Sequence, residues 1–245
     1  PINLPPSGQI RNLVHRYYQN IEQIAAGRNN RFASTSDAGG LVMGYYDGSS
    51  LPMWQWAREF VLADNFFMGA FGGSFLNHFW LVCACTPSNP GAPAAVRTAL
   101  DARGKVRWRD HVASALSGPL WFLEGAYSAD GYAINSVQPP YQPSELRPAP
   151  GSDARFANAA RNPLPPQTAT TIGDTLSAKG VSWAWYAGAW NAALADGMKP
   201  TGQHEVIYTA ANNSPNYQPH HNPFNYFARF APGTAERERH LRDYA

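Results

Sequence analysis

Residues 67–85, FMGAFGGSFLNHFWLVCAC, place small and polar groups directly in front of a strongly apolar run. The apolar run predicts a core helix that begins at Ser74 and continues to about Cys85. The two glycines before Ser74 would let a ligand approach the backbone closely. Two interpretations follow: Ser74 is an ordinary helix cap, or it is a nucleophile presented at a helix N-terminus.

The rest of the chain contains signals for both helices and strands. Hydrophobic periodicity and turn residues predict helices at 10–27, 51–63 and 171–180, a short strand within 64–73, and strands at 131–143 and 181–188. Gly180 separates the last helix from the last strand, and a helix–glycine–strand step is typical of an α/β sheet. Near the C-terminus, a short helix, a Pro-Gly break and a second helix capped by Thr234 are expected, with the helical pattern still running at the last residue.

Residues 138–167 contain eight prolines and show little periodicity. Their aromatic and hydrophobic content is low, so any order must come from contacts with the rest of the protein. The segment is either an ordered excursion over the surface or a disordered linker.

Composition narrows the classes of function. The 245 residues, 44% hydrophobic and 15% charged, can bury a core. A net charge of +2 without a Lys/Arg-rich run argues against a nucleic-acid partner. No stretch is long and apolar enough to be an integral membrane segment, and nothing indicates the oligomeric state. Cys83 and Cys85 are expected to be buried free thiols, because residues two apart rarely form a disulfide.

Ser74 and Asn77 are the first candidates for chemistry, because three residues apart they share one face of the predicted helix. The free N–H groups and the positive dipole end of a helix N-terminus form an anion site that suits phosphate. The Asn77 amide could donate to a phosphate oxygen. A serine hydroxyl is nevertheless a weak nucleophile unless a base or a metal activates it, so the capping interpretation stays open.

Histidines are the next candidates. His220 and His221, in a proline-flanked loop, could hold a phosphoryl oxygen or protonate a leaving group, or they could be two surface residues. His15 lies on the predicted first helix, where a partly buried structural role is the alternative to a functional one. His78 is expected to face away from the site. The carboxylates are scattered singly along the chain, so no complete metal site is visible in the sequence.

Three blocks, at residues 37–87, 171–194 and 218–243, are very similar to the acid phosphatase and phospholipase C phosphoesterase family of the alkaline phosphatase superfamily. They occur in the family's order, and the resemblance covers nearly the whole chain. The motif GGSFLNH resembles the bacterial acid phosphatase branch, whereas phospholipase C relatives tend to carry threonine in place of Ser74. The resemblance implies an α/β fold, an alkaline-phosphatase-like sheet flanked by helices, incomplete at both termini. Residues 1–245 would be the central segment of a single catalytic domain.

The resemblance also implies residue roles. Ser74 matches the nucleophile that forms a phosphoseryl intermediate, and Asn77 matches the asparagine that holds a phosphoryl oxygen. Gly73, Asn77 and His220 are expected to contact the substrate. His220 and His221 match a histidine pair that lines the phosphate pocket, and His15 matches a further pocket histidine.

In this family a Glu-Asn pair and an Asp-Asp pair hold the divalent metal ion, and this chain contains neither pair. Metal ligands are therefore expected outside these residues, the identity of the ion is open, and the chain alone is expected to be nearly inactive. The implied reaction is the hydrolysis of small phosphate monoesters, in the periplasm or outside the cell. The alternatives are a phospholipase C-type phosphodiesterase, and a non-catalytic fragment or binding module.

Overall fold

The computed structural model describes residues 2–4, 13–36, 38–107, 124–209 and 216–244. The chain divides into two compact units. The first comprises Pro1–Met68 and Thr98–Glu124, and the second comprises Gly69–Arg97 and Gly125–Ala245. The single catalytic domain expected over residues 1–245 stays a prediction.

Among the described residues, the first unit contains one pair of short strands and three α-helices. The strands β1 (Ile2–Leu4) and β2 (Gly44–Tyr46) are parallel, and the helices are α1 (Tyr17–Ile24), α2 (Phe32–Thr35) and α3 (Met53–Glu59), with a 3₁₀ helix at Gly39–Met43. Helix α3 confirms the centre of the helix predicted at 51–63. No strand forms within 64–73, so that prediction is wrong: the segment consists of turns and bends with mostly exposed side chains.

Helix α1 begins at Tyr17, so the helix predicted to start at residue 10 is wrong at its N-terminal end; residues 10–12 lie outside the described residues. The buried carboxylate of Glu124 accepts a hydrogen bond from the backbone N–H of Tyr18 at 2.7 Å. Arg16, at the cap position, has an extended backbone and donates from its guanidinium to the Glu124 carbonyl at 2.6 Å. A residue distant in sequence therefore caps this helix, and local periodicity could not indicate that start.

The second unit contains most of the secondary structure that is seen in the described residues. Its helices are α4 (Ser74–Cys83), α5 (Ile172–Ala178), α6 (Trp190–Asp196) and α7 (Ala235–His240), and its strands are β3 (Trp185–Ala187) and β4 (Leu241–Asp243). Its 3₁₀ helices are Ala94–Val96, Ala159–Arg161, Pro219–His221, Pro223–Tyr226 and Ala228–Phe230.

The helix predicted at 171–180 is confirmed as α5. Thr171 and Asp174 form a reciprocal capping box at its start, and Gly180 has a φ of 68° after its end. The following strand is shorter than predicted, because only Trp185–Ala187 pairs with another strand.

The predicted cap at Thr234 is confirmed, since its side chain accepts from the backbone N–H of Arg237. The helical pattern expected at the last residues is wrong, because the chain leaves α7 at Leu241 and forms β4, parallel to β3. The strand predicted at 131–143 is also wrong: this segment makes only isolated bridges. Within the described ranges the strands form two separate parallel pairs, which is compatible with an α/β chain, but the large flanked sheet is not confirmed.

The core of the second unit is built on α4. Phe75, Leu76, Phe79 and Val82 are buried on one side of the helix. The ring of Phe79 lies 5.1 Å from both Phe75 and Tyr226, measured between centroids. Burial of a large apolar side chain contributes about 1.5–3 kcal/mol, so this cluster holds the first turn of α4 firmly in place.

The proline-rich segment is packed into the second unit, which favours the ordered excursion over the linker. Tyr141 is buried, and its carbonyl accepts a hydrogen bond from Asn225 at 3.0 Å. The buried guanidinium of Arg237 donates to the Asn225 side chain at 2.8 Å and to the Gln142 carbonyl at 2.5 Å. Burial lowers the pKa of Arg237 below its ordinary value, to about 10, which leaves it charged at neutral pH.

The two cysteines form a disulfide, contrary to the expectation of free thiols. The helix was predicted to continue to about Cys85, but α4 ends at Cys83 and Ala84 adopts a left-handed conformation with a φ of 47°. This turn brings the two Cα atoms to 5.1 Å, within the range of disulfides. Among the described ranges, no helix has the length and apolar character needed to cross a bilayer.

Candidate active site

Ser74 is the first residue of α4, as predicted, and Gly73 occupies the cap position before it with an extended backbone. The first N–H groups of a helix have no partner within it, and the first turn of α4 contains no acidic residue. The positive end of the helix dipole is therefore not neutralised locally and suits an anion. Since Gly73 holds the cap position, Ser74 is not the helix cap, and its side chain is available for another role.

The hydroxyl of Ser74 lies 2.9 Å from Nε2 of His221, a hydrogen-bond distance across 147 residues of sequence. His221 ends the 3₁₀ helix Pro219–His221, in which Pro219 occupies the first position. Both residues are half-buried, so the pair remains accessible to a small molecule. A serine beside an imidazole nitrogen is the arrangement in which the hydroxyl can be activated as a nucleophile.

His78 contacts the site, so the expectation that it faces away is wrong. Its ring stacks on that of His221, with centroids 4.6 Å apart and planes 11° apart. Its Nδ1 donates to the carbonyl of Ser74 at 2.7 Å, which fixes the orientation of the ring. The sequence did carry a signal: residues i and i+4 share a helix face, and His78 is four residues after Ser74.

His220 packs edge-to-face against His221, with ring centroids 4.2 Å apart. Its Nδ1 lies 2.6 Å from the hydroxyl of Tyr208, whose ring also stacks on it. The side chain of Gln138, from the proline-rich segment, donates to the same hydroxyl at 2.9 Å. No local pattern pointed to Tyr208 or Gln138, because both reach His220 only through the tertiary fold.

Asn77 is placed beside Ser74 but contacts the backbone of the preceding loop. Its Oδ1 accepts from the N–H of Ala70 at 3.2 Å, and its Nδ2 donates to the carbonyls of Ala70 and Gly73 at 3.1 Å. The side chain thus anchors the loop that leads into α4. Its predicted contact with a phosphoryl oxygen stays a prediction.

His15 lies in the first unit, outside a helix, and is exposed. The prediction that it lies on the first helix is wrong, because α1 begins two residues later. Its Nδ1 lies 2.5 Å from the carbonyl of Leu13. Its role as a pocket histidine stays a prediction.

Metal ligands do not converge within the described ranges. These ranges contain no group of three or more His, Cys, Asp or Glu side chains that could hold a metal ion. The imidazoles of His78, His220 and His221 pack on one another rather than pointing at a common centre. The described residues therefore do not fit a metal centre, and the roles of Ser74 and His221 are derived without one.

The geometry defines a class: a half-buried serine at a helix N-terminus, paired with an imidazole, as in hydrolases with a hydroxyl nucleophile. The chain belongs to the phosphoesterase family, whose model matches residues 6–245. This confirms the resemblance at the level of the family and makes phosphoric esters the class of substrate. No curated protein matches the chain significantly.

Proposed function

We propose that this chain carries the nucleophile of a phosphatase that hydrolyses small phosphate monoesters through a phosphoseryl intermediate. The observation that carries the proposal is the 2.9 Å contact between Ser74 Oγ and His221 Nε2 at the N-terminus of α4, in a member of the phosphoesterase family. A pure binding module has no need for a nucleophile and a base in contact at a helix N-terminus.

In the first step, Ser74 Oγ attacks phosphorus while its proton passes to Nε2 of His221. The new Oγ–P bond replaces the bond between phosphorus and the ester oxygen, and the leaving alkoxide takes up a proton from solvent water. In the second step, water attacks phosphorus and becomes part of the released inorganic phosphate, while the proton held on His221 returns to Ser74 Oγ and restores the hydroxyl and the neutral imidazole. Each step leaves the charge on the phosphoryl oxygens, so stabilisation of those oxygens is the main task of the surrounding groups.

The phosphoryl oxygens would be held by the N–H groups of the first turn of α4 and by His220. Asn77 would join them by exchanging its contacts with Ala70 for a phosphoryl oxygen. The resemblance also implies a divalent metal ion, and we propose that groups other than the described residues hold it. A periplasmic or extracellular location is proposed too, supported by the Cys83–Cys85 disulfide, since such bonds persist mainly in oxidising compartments.

The test is the hydrolysis of p-nitrophenyl phosphate by the complete gene product, with divalent metal ions present. Ser74→Ala should lower kcat by roughly 10³-fold or more, because the nucleophile is lost. Ser152→Ala is the matched control, since Ser152 is exposed and hydrogen-bonds only a local carbonyl, that of Ala149. Undiminished activity in Ser74→Ala would refute the assignment.

A phosphocholine diester assayed in parallel separates the monoesterase from a phospholipase C-type diesterase. We expect the monoester to be the better substrate. A higher kcat/KM for the diester would replace the proposed reaction by the diesterase while leaving Ser74 as its nucleophile.

A further inference from the structure

A short hydrogen-bond chain begins in the proline-rich segment and ends at His220. It runs from the backbone N–H of Glu145 to the side chain of Gln138, then to the hydroxyl of Tyr208, and then to Nδ1 of His220. The three distances are 3.0, 2.9 and 2.6 Å. His220 in turn packs against His221, the partner of Ser74, so the chain ends directly beside the proposed nucleophile.

The direction of every bond in this chain follows from its first member. A backbone N–H can only donate, so the atom of Gln138 that faces Glu145 must be the amide oxygen. The amide nitrogen of Gln138 therefore faces Tyr208 and donates to its hydroxyl oxygen. That hydroxyl has one proton, and the remaining partner in line is Nδ1 of His220. Tyr208 thus donates to His220 and Nδ1 is an acceptor without a proton, because the opposite direction would leave the proton of this largely buried hydroxyl without an acceptor among the described residues.

Burial supports this direction, because it raises the pKa of Tyr208 well above its ordinary value and keeps the hydroxyl protonated. A neutral imidazole that accepts at Nδ1 carries its proton on Nε2. The hydrogen bond made at one ring nitrogen therefore decides the chemistry of the other.

We propose that Tyr208, oriented by Gln138, is a positioning residue that holds His220 as the neutral tautomer protonated on Nε2. This inference rests on the proposed function and deepens it, because it divides the work of the two adjacent histidines. His221 accepts the proton of Ser74, while His220 offers an N–H donor to a phosphoryl oxygen. With the opposite tautomer, His220 would present a lone pair to an anion and weaken its binding in the transition state.

The direct test is ¹⁵N NMR of the histidine side chains, at a pH where neutral imidazole dominates. In the wild-type protein the His220 signals should show a protonated Nε2 and an unprotonated Nδ1. In Tyr208→Phe, which keeps the stacked ring but removes the hydroxyl, the two tautomers should mix. A wild-type His220 protonated on Nδ1 would overturn the proposal, and this measurement does not require any variant to fold.

The functional test compares Tyr208→Phe with Tyr217→Phe in the hydrolysis of p-nitrophenyl phosphate. Tyr217 is a second buried tyrosine of the same unit, and its hydroxyl contacts Asn222 rather than His220. Tyr208→Phe should lower kcat roughly 10- to 100-fold with a smaller change in KM, as expected when a histidine loses the partner that orients it. Tyr217→Phe should change kcat little. Equal losses in the two variants would show a merely structural role and overturn the proposal.

Gln138→Met tests another member of the same hydrogen-bond chain. This substitution removes the amide that orients the Tyr208 hydroxyl, so it should also lower kcat. In the double variant with Tyr208→Phe, the fold-loss in kcat should be smaller than the product of the two single fold-losses. If the fold-losses in kcat simply multiply, the two residues act independently, which would contradict the proposed hydrogen-bond chain. The NMR measurement does not depend on enzymatic activity. Activity in Ser74→Ala would refute the proposed function, but the NMR spectrum would still show which nitrogen of His220 is protonated.

Discussion

Two apolar stretches on either side of Ser74 have similar composition and opposite environments. Before it, Phe66 and Phe67 are 86% and 78% exposed. After it, Phe75 and Phe79 are 1% and 0% exposed, within a cluster that includes Tyr226. Apolar residues alone therefore do not decide burial in this chain. The difference lies in the partners, because α4 meets aromatic side chains that are distant in sequence.

The packing behind α4 explains the position of the proposed nucleophile, Ser74. Ser74 is the first residue of the buried helix, so its position is set by the packing of Phe75 and Phe79 behind it. On the other side of the candidate site lie His220 and His221. The residues that follow them in the chain also enter the core, at Phe224 and Tyr226. The same core therefore positions both the proposed nucleophile and its imidazole partner, and damage to it should affect both.

The largest expected effect on stability comes from a break in that core. Phe79→Ala should lower the free energy of unfolding by about 3–5 kcal/mol, because it leaves a cavity against Phe75 and Tyr226. Phe67→Ala, the matched variant in the exposed stretch, should change it by less than about 0.5 kcal/mol. Chemical denaturation of both variants measures the difference. Equal losses would contradict the environments described for these two phenylalanines.

A smaller effect on stability is expected when a buried carboxylate, Asp196, is compared with an exposed one, Asp153. Burial raises the pKa of Asp196, but hydrogen bonds from the backbone N–H groups of Glu205, Ile207 and Val206 outweigh it and bring the pKa from 3.8 down to about 2. A lowered pKa stabilises the fold above the unfolded-state pKa, and that stability is lost as the pH falls from about 4 towards 2. The shift corresponds to about 2 kcal/mol at neutral pH.

Asp196→Asn should therefore destabilise the protein at neutral pH and flatten the fall in stability between about pH 4 and pH 2. Asp153 is the control, since its pKa is also lowered to about 2, by hydrogen bonds from Arg155, but it is exposed on the surface. Asp153→Asn should have little effect on stability, because exposed ion pairs contribute little. Urea denaturation at several pH values checks both variants, and a pH dependence retained in Asp196→Asn would assign the effect to another group.

The sequence predicted those parts of the fold that depend on local signals. The start of α4 at Ser74, the helix at 171–180 and the cap at Thr234 follow from signals in the neighbouring residues. The start of α1 could not be predicted, because Glu124 caps it from a distant part of the chain. Likewise, the strand β4 exists only because it pairs with β3, and no periodicity within three residues reveals a pairing partner.

The candidate site shows the same limit. Ser74 stood out because glycines and a polar motif precede an apolar helix. The resemblance indicated a pocket role for His220 and His221, but the contact between His221 and Ser74 became visible only in the tertiary structure. His78 could have been found from its spacing of four residues. Tyr208 and Gln138 could not, because they reach His220 from separate loops whose approach only the tertiary structure reveals.

The most direct test of the proposed phosphoseryl intermediate is to find which residue carries the phosphoryl group during turnover. The complete gene product is mixed with p-nitrophenyl phosphate, and separate samples are quenched in acid, which preserves phosphoserine, and in base, which preserves phosphohistidine. Peptide mass spectrometry then locates the phosphoryl group in the wild-type protein and in Ser74→Ala. The account predicts a phosphoryl group on Ser74 after the acid quench and none in the variant. A phosphoryl group on His220 or His221, or full turnover by Ser74→Ala, would contradict it.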